Sequence, residues 1–510
     1  MQNLFKKEGV ILEVISSVYI FVLLLIFPIM VDSTGFFKIL EFKWHTYLVI
    51  GLVYILSIIG VYLYFLLFKK ANYLKKIKLR KAHYFLFAFM IINILSCFLS
   101  PFYSKYNLFV GVGRGEGLIM MMLYSISFLF VSLFAKFNKK YIVYFSISSI
   151  MLNVIAILQY IGFNPFNIFQ DGIGTHNVSF MTTIGNIDFI SALYCILLTV
   201  SFSAFVFIEN DSKYNKMIHF ISVLFGFFIF GIINVSSGKV AFICTLILAL
   251  PFILTNHKRF ARTLFLLATI FFGYCFNIII NPQYHYDIGK LTLDWQFNWY
   301  ALAFLIVIAI MCYLSYLLYN KFDFDYSKNK KTIKTLYFII IGCGVCGILG
   351  LYLIDLKKGI FHEMHELLHG NFDDDFGTYR IFLWKRTLPL IKEYPLIGTG
   401  ADSFAIRFMA KYTNDIASIG ELSLNDTAAN VYLTMAINIG ITGLISYLGF
   451  IYCQLKDGIK NMNNYSRILF IAIVCYLIQD FFNLWLVIIT PIFWLLMALH
   501  LSSLEYKDSG

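Results

Sequence analysis

The residues best suited to chemistry in this chain are a few charged side chains that interrupt apolar segments. Arg114 lies in Gly111-Val-Gly-Arg-Gly-Glu-Gly117, where the flanking glycines are expected to leave the guanidinium unobstructed. A planar guanidinium fork suits a phosphate better than a lysine ammonium does. The segment lacks the spacing and the preceding strand of a dinucleotide-binding loop. Arg114 is therefore a candidate anion-binding residue, and a Rossmann site is not predicted.

Further polar sites lie where apolar segments begin or end. Gly185-Asn-Ile-Asp188 opens one apolar segment, and Ser236-Ser-Gly-Lys239 is predicted to form a tight turn between two others. A single lysine at such an edge is explained by snorkelling, but four ionisable residues at such edges are better explained by a shared function. These four are Arg114, Asp188, Lys239 and Arg380.

Residues 355–430 form the longest polar connection in the chain. Within it, residues 376–395 mix aromatic, aliphatic and basic side chains at helical spacing, which predicts a helix lying in the membrane interface. Trp384 is expected at headgroup depth, and Arg380 shares its face because the two are four residues apart. By charge alone, Arg380 is equally well explained as a snorkelling interfacial arginine.

One motif in the same connection has the spacing of a zinc site. His365-Glu-Leu-Leu-His369 places two imidazoles on one helical face, with a glutamate as potential base. His362 and Asp373-Asp-Asp375 are nearby, but no third ligand is evident from their spacing. A zinc peptidase is therefore a minor alternative, and the sequence predicts neither a metal nor another cofactor.

The elements that position these residues must be membrane helices, because the chain is 60% hydrophobic and 13% charged. Soluble globular proteins are about 45–50% apolar and about 25% charged, which excludes a soluble enzyme. Apolar runs of sufficient length predict about 14 transmembrane helices. The predicted fold class is all-α, a single polytopic membrane helical bundle over residues 1–510. The extracytoplasmic loop 355–430, with its interfacial helices, is inserted between predicted helices 11 and 12.

Charge placement predicts the orientation of this bundle. The net charge of +12 would indicate nucleic acid in a soluble protein, but in a membrane protein the location of the charges matters more, and the predicted environment is membrane lipid. Basic residues concentrate in alternate short connections, such as the one from Lys69 to Lys81. The positive-inside rule then predicts cytoplasmic termini and an extracytoplasmic loop 355–430. All nine cysteines fall inside predicted spans, so no disulfide framework is predicted.

The order of several short motifs resembles the O-antigen ligase and polymerase family of bacterial membrane proteins. The resemblance covers roughly residues 100–450 and is most specific over residues 377–433. In chain order, the motifs are residues 113–117, 185–186, 236–239, 377–384, 394–400 and 426–433.

This resemblance implies a glycosyltransferase in the bacterial cytoplasmic membrane with an extracytoplasmic active face. Its donor would be a glycan on polyprenyl (undecaprenyl) pyrophosphate, and its acceptor a glycan or a lipid. The family's pyrophosphate-binding cations match Arg380, the position of Lys239 and, as a further basic position, Arg114. The residues expected to contact substrate are Asn430, Trp384, Asn186 and Asp188.

The chain departs from the family at two positions. Lys239 stands where arginine is usual, and Ala429 stands where the family has a histidine thought to activate the acceptor hydroxyl. Cations can stabilise a departing pyrophosphate without a bound metal, but the acceptor hydroxyl still needs a proton acceptor. By position, the candidate bases are Asp426, Glu116 and Asp188.

The predicted function is therefore an envelope polysaccharide polymerase or ligase. A composition rich in residues typical of AT-rich genomes favours a capsule or wall polymer. A catalytically reduced family member is an alternative, because Ala429 leaves the histidine's role vacant. A transporter or flippase of lipid-linked sugars is another, since many spans and scattered polar groups fit it too. A transporter would place functional charges near the midplane, whereas the predicted cations lie at outer ends of spans.

Overall fold

A computed structural model of the chain describes most of the residues in the sequence. These are residues 2–69, 79–102, 104–169, 181–280, 282–285, 290–293, 299–321, 330–355, 357, 359–419 and 426–506. Residues 70–78 of the predicted basic connection lie outside this set. The described residues are predominantly helical, which confirms the predicted all-α class, although an unpredicted antiparallel hairpin pairs Pro282–His285 with Lys290–Leu293.

The helices follow one another along the chain. They are α1 (Gln2–Phe21), α2 (Ile39–Lys69), α3 (Lys81–Phe98), α4 (Lys105–Val110), α5 (Leu118–Phe134), α6 (Lys140–Tyr160), α7 (Ile187–Phe207), α8 (Lys213–Ile233), α9 (Ser236–Ile253), α10 (His257–Ile280), α11 (Trp299–Asn320), α12 (Lys330–Leu353), α13 (Gly359–Leu368), α14 (Phe376–Glu393), α15 (Phe404–Ile419), α16 (Val431–Asn438), α17 (Gly440–Lys460), α18 (Asn464–Gln479) and α19 (Thr490–Ser503).

Many of these helices are long and apolar enough to cross a bilayer. Ten such segments occur among the described residues, and α5, α19 and much of α12 are shorter apolar helices. The polytopic helical membrane fold is thus confirmed, while the count of about 14 spans stays a prediction.

One predicted span is divided in two by a glycine. The sequence predicts a continuous apolar helix over 431–453, but α16 and α17 meet at Gly440, whose φ is +70°. A Cβ there would lie 2.1 Å from the carbonyl oxygen of Leu396. The turn at residues 396–400 packs into this break, where the amide N–H of Gly400 donates to Asn438 O at 2.8 Å. The break therefore fixes the long loop onto the bundle.

Helix α7 lies at the centre of the bundle and is the most deeply buried of the candidate spans. It packs against α6, α8, α9 and α18. Small residues allow this close packing, since a Cβ on Gly238 of α9 would lie 2.1 Å from the Ser191 hydroxyl of α7. The first turn of α7, which begins at Ile187, is consequently surrounded by other elements that bear polar residues.

The long loop has a small apolar core of its own. Phe382, Leu383 and Leu390 of α14 pack against Phe404 and Phe408 of α15. The predicted helix over 376–395 is observed as α14, Phe376–Glu393. Its apolar side chains face α15 because that amphipathic helix supplies a protein partner for them. On this face, α14 therefore packs against the rest of the loop instead of facing the membrane interface as predicted.

Candidate functional site

The glycine-rich loop before α5 encloses a carboxylate from the long loop. The amide N–H groups of Gly113 and Arg114 donate to Asp402 Oδ2 at 3.0 and 3.2 Å. A Cβ on Gly111, whose φ is +110°, would lie 2.6 Å from the same oxygen. Glycine is required here because the carboxylate and the loop backbone approach so closely. Asp402 is buried and was missed by the sequence analysis.

Arg114 is paired with an acid, contrary to the expectation that its guanidinium is unobstructed. Its Nε lies 2.5 Å from Asp426 Oδ2. The guanidinium also lies over the ring of Phe189, 5.8 Å from its centroid. Two residues predicted separately, Arg114 and Asp426, are therefore brought into contact beside the first turn of α7.

Glu116, a candidate base from the sequence, is buried in this region. The Tyr124 hydroxyl donates to Oε1 at 3.0 Å, and Oε2 has no hydrogen-bond partner in the described part of the chain. Burial raises the pKa of the Glu116 carboxyl well above its usual value. A protonated carboxyl already carries the proton that a general base has to accept, so the environment of Glu116 favours a hydrogen-bonding role.

These side chains share one cavity with an empty volume of about 520 Å³. Its charged lining residues are Arg114, Glu116 and Asp402, and Thr427, Thr434 and Asn438 add polar groups. Apolar residues such as Phe89 and Trp485 complete the wall. The cavity has the mixed charged, polar and apolar lining expected of a site for a polar ligand.

Arg380 contacts backbone carbonyls and faces the start of α7. It donates to Gly377 O at 2.7 Å and to Phe482 O at 3.2 Å. No carboxylate of the described residues lies within 4.0 Å ion-pair distance of it, but Asp188 attracts it electrostatically. Burial lowers the pKa of the Arg380 guanidinium, and Asp188 opposes this shift. The half-buried side chain points into the protein, which argues against snorkelling.

The other outer arginines of the long loop are neutralised by acids. Arg386 pairs with Asp374 at 2.9 Å and Asp415 at 2.8 Å, and Arg407 pairs with Glu393 at 2.8 Å. These pairs link α14 to its neighbours and explain both arginines structurally. Arg380 differs from them in lacking such a partner among the described residues.

Residues 479–483, which begin at the last residue of α18, connect the parts of the site. Gln479 Nε2 donates to Ser237 Oγ at 3.1 Å, and Asn483 Nδ2 donates to Asp188 O at 3.2 Å. Phe482 O accepts from Arg380, as described above. The buried Asp480 accepts from Trp485 Nε1 at 3.3 Å, and its Oδ1 has no hydrogen-bond partner among the described residues. The sequence signal for this segment was that Gln479, Asp480 and Asn483 interrupt an apolar stretch.

Lys239 lies in a separate groove. It is in the first turn of α9, so the predicted turn over residues 236–239 is instead helical, and the chain reverses at Asn234 in the left-handed region. Its Nζ donates to Asn234 Oδ1 and lies 5.5 Å from the centroid of Tyr274. The groove, with an empty volume of about 1000 Å³, is otherwise lined mainly by Phe, Leu and Ile side chains. Lys239 therefore does not share the cavity lined by Arg114.

A family model described as O-antigen ligase matches residues 295–448. Over these residues the chain is similar to the O-antigen ligase family. The match confirms the resemblance seen in the motifs and includes Arg380, Asp402 and Asp426, whereas Arg114 and Lys239 precede the matched residues. It indicates O-antigen ligase-type glycan transfer by a multi-pass membrane protein. No curated protein gives a significant match to the chain.

The histidine position of the O-antigen ligase-like pattern is occupied by Ala429, which has a φ of +46°. The backbone next to Ala429 is held in place by a hydrogen bond, in which Trp384 Nε1 donates to Ala428 O at 3.0 Å. The polar edge of the Trp384 ring is therefore hydrogen-bonded within the protein. Trp384 also packs edge-on against Phe481, 5.6 Å between centroids. Asp426 lies three residues before Ala429 and contacts Arg114. Asp426 is thus the acid nearest in sequence to the vacant position.

Asn186 and Asn430, which are predicted to bind substrate, are the N-cap residues of two helices. The Asn186 side chain accepts from the Asp188 amide at 2.8 Å at the start of α7. The buried Asn430 accepts from the Leu433 amide at 3.0 Å at the start of α16. Asparagine is favoured at this position because its oxygen satisfies a free amide of the first turn. Their contact with substrate stays a prediction.

Each histidine of the 362–369 segment forms its own local hydrogen bond. His365 Nδ1 lies 2.7 Å from Leu351 O, and His369 Nδ1 lies 2.9 Å from His365 O. His362 Nδ1 lies 2.8 Å from Asp355 Oδ1. Within the described part of the chain, no group of three or more potential metal ligands converges. The geometry gives the zinc peptidase alternative no support.

Proposed function

We propose that this chain transfers a glycan from a polyprenyl-pyrophosphate donor to an acceptor glycan or lipid at the outer face of the bacterial cytoplasmic membrane. In this role it is an envelope or capsular polysaccharide polymerase or ligase. The proposal depends on two guanidinium groups beside the first turn of α7: Arg114 lies over Phe189, and Arg380 faces Asp188. Together they offer the donors that a diphosphate requires. The N-terminal end of α7 adds a favourable dipole for an anion.

The contact between Arg114 and Asp426 provides a route to the missing base. A donor phosphate would compete with Asp426 for the Arg114 guanidinium, since both are anions that bind the same fork. Displaced from Arg114, the Asp426 carboxylate could take the proton of the acceptor hydroxyl. The acceptor oxygen then bonds to the anomeric carbon, and the bond from that carbon to the pyrophosphate oxygen breaks. The electron pair leaves with the lipid pyrophosphate, which the two arginines stabilise.

The groove at Lys239 suits the lipid part of such a donor. Its lining is predominantly aromatic and aliphatic, and a cation stands in the first turn of α9 at one end. A polyprenyl chain needs an apolar surface, and its pyrophosphate needs a nearby positive charge. Ser237, two residues before Lys239, is hydrogen-bonded to Gln479 of the segment that also contacts Arg380. The groove is therefore connected to Arg380 through residues 479–483.

We expect Lys239→Ala to raise the KM for the donor about tenfold with a smaller change in kcat, because the lysine contributes one charged contact to binding. Lys239→Arg should retain activity, since it restores the residue usual in the family. Steady-state kinetics with varied donor concentration would check both variants. Equal KM values for the Ala variant and the wild type would remove Lys239 from the donor site.

Protonation of Asp402 should produce an acidic limb in the pH–rate profile of glycan transfer, which means that the rate decreases at low pH. Burial, together with the charge of Asp426, raises the pKa of the Asp402 carboxyl to about 6, although amide donors oppose the shift. As the pH falls through this value, the carboxylate is protonated and holds the amides of Gly113 and Arg114 less strongly. Transfer should therefore decrease below about pH 6, and Asp402→Asn should show lower activity without this limb. An unchanged limb in kcat/KM profiles of the variant would assign the titration to another group.

The direct test supplies purified, reconstituted protein with polyprenyl-pyrophosphate oligosaccharide and an acceptor. We expect an extended or transferred glycan and an equal amount of released lipid pyrophosphate. If folded protein gives neither product, the enzymatic proposal fails. In a deletion strain, unextended lipid-linked units should accumulate outside the membrane, whereas accumulation on the cytoplasmic side would indicate a transporter.

A further inference from the structure

A half-buried arginine lies at the end of α18 opposite Gln479. The Arg467 guanidinium lies over the rings of Phe207 and Phe252, 5.4 and 5.6 Å from their centroids. Its N–H groups contact Asn464 Oδ1 at 3.0 Å and Met462 Sδ at 3.4 Å. No carboxylate of the described residues lies within 4.0 Å of it. A charge that is partly removed from water is usually compensated by an anion. Arg467 has no such counterion among the described residues.

The charged residues near Arg467 do not provide a counterion for it. Arg259 is 3.1 Å from Glu209, and Arg262 donates to Ile208 O at 3.3 Å beyond the end of α7. Arg259 also repels Arg467 electrostatically. The nearby carboxylate, Glu209, is thus already paired, and this end of the bundle carries excess positive charge. An anionic ligand would relieve the repulsion.

An apolar groove between α9 and α18 reaches Phe252, one of the two aromatic residues beneath this arginine. Its empty volume is about 560 Å³. The lining includes Leu248 and Phe252 from α9 and Phe470, Ile471 and Val474 from α18. Phe252 belongs both to the groove and to the aromatic pair beneath Arg467. The groove and the guanidinium therefore form a continuous surface with an apolar part and a cationic end.

We propose that this surface binds one anionic phospholipid, with an acyl chain between α9 and α18 and the phosphate on Arg467. An apolar groove beside arginines matches both parts of such a lipid, as basic pockets between membrane helices do for anionic headgroups. With the orientation predicted from charge, the site lies in the inner leaflet. It is distinct from the cavity at Arg114 and does not depend on glycan transfer. A bound lipid would join the two helices that carry Ser237 and Gln479 at their other ends.

Native mass spectrometry of the purified full chain tests this site directly. We expect retained phosphatidylglycerol, about tenfold more than phosphatidylcholine with the same acyl chains, and loss of this preference in Arg467→Gln. Arg80→Gln is the matched control, because Arg80 already pairs with Glu505 at 2.9 Å and Asp457 at 3.8 Å. This control should bind phosphatidylglycerol as the wild type does.

A second variant tests the groove independently of the charge. Val474→Trp should fill the space between α9 and α18 and reduce phosphatidylglycerol binding while Arg467 is intact. Inorganic phosphate alone should not displace the lipid, and displacement by phosphate would make this a free-anion site. Equal retention of the two lipids by wild-type protein would also overturn the proposal, whether or not the variants fold.

Discussion

Arg380→Ala should reduce glycan transfer by about 10²–10³-fold, the loss typical of removing a charged donor that stabilises a leaving group. Its guanidinium is half-buried, donates to Gly377 O and Phe482 O, and faces Asp188. A freely exposed arginine could be removed with little effect on stability, but Arg380 is half-buried. Losing two charge-assisted hydrogen bonds should also lower the free energy of unfolding, by about 2–4 kcal/mol. Transfer assays on detergent-purified protein, normalised to folded protein, would measure the loss.

Two variants separate the catalytic loss from the structural one. Arg380→Lys keeps a charge but not the planar fork, so it should recover part of the activity. Arg386→Ala removes a guanidinium of the same helix that pairs with Asp374 and Asp415. It should destabilise the long loop without the large decrease in kcat per folded molecule. Equal kcat losses in the Arg380 and Arg386 variants would indicate that both act through stability.

Asp426→Asn should decrease kcat by about 10²–10⁴-fold, the range for loss of a positioned general base. The amide is nearly isosteric with the carboxylate, so the loop should keep its position while losing the proton acceptor. The substitution also removes the negative charge that lies 2.5 Å from Arg114 Nε. Donor affinity should therefore be unchanged or slightly higher. A decrease in kcat with a constant or lower donor KM, measured over several donor concentrations, is the expected signature.

Glu116→Gln provides the control for this substitution. Because burial favours the protonated form of Glu116, the amide should replace it with little loss of activity. Formate added to an Asp426→Ala enzyme, whose truncated side chain leaves room for it, should restore part of the rate if a carboxylate is missing. A large loss in Glu116→Gln together with a small one in Asp426→Asn would reverse the assignment of the base.

Sequence patterns predicted the membrane fold and several of the side chains that line or adjoin the candidate site. Apolar run length is a local property, so segments such as α7, α9 and α18 are recognisable without tertiary information. The four-residue spacing of Arg380 and Trp384 correctly placed them on one face, since both contact the segment at residues 481–482. Local rules thus located the groups and their directions.

Contacts between distant segments could not be predicted in this way. Asp402 follows the glycine turn of the long loop, and nothing near it in sequence indicates that it binds amides at residues 113–114. Likewise, the pairing of Arg114 with Asp426 and the separate groove of Lys239 depend on how helices pack. The division of the 431–453 span depends on the carbonyl oxygen of Leu396, which only tertiary structure brings to Gly440.

The carboxylate held by the glycine-rich loop has a consequence for biosynthesis. The loop at residues 111–117 emerges from the ribosome long before Asp402, which follows it by almost 290 positions. Until that carboxylate arrives, the amides of Gly113 and Arg114 lack their acceptor, and the loop has no reason to hold one conformation. A nascent or truncated chain with α5 already inserted would therefore lack an ordered cavity. The protein would become competent to bind its ligand late in translation, after the long loop has folded against the membrane helices.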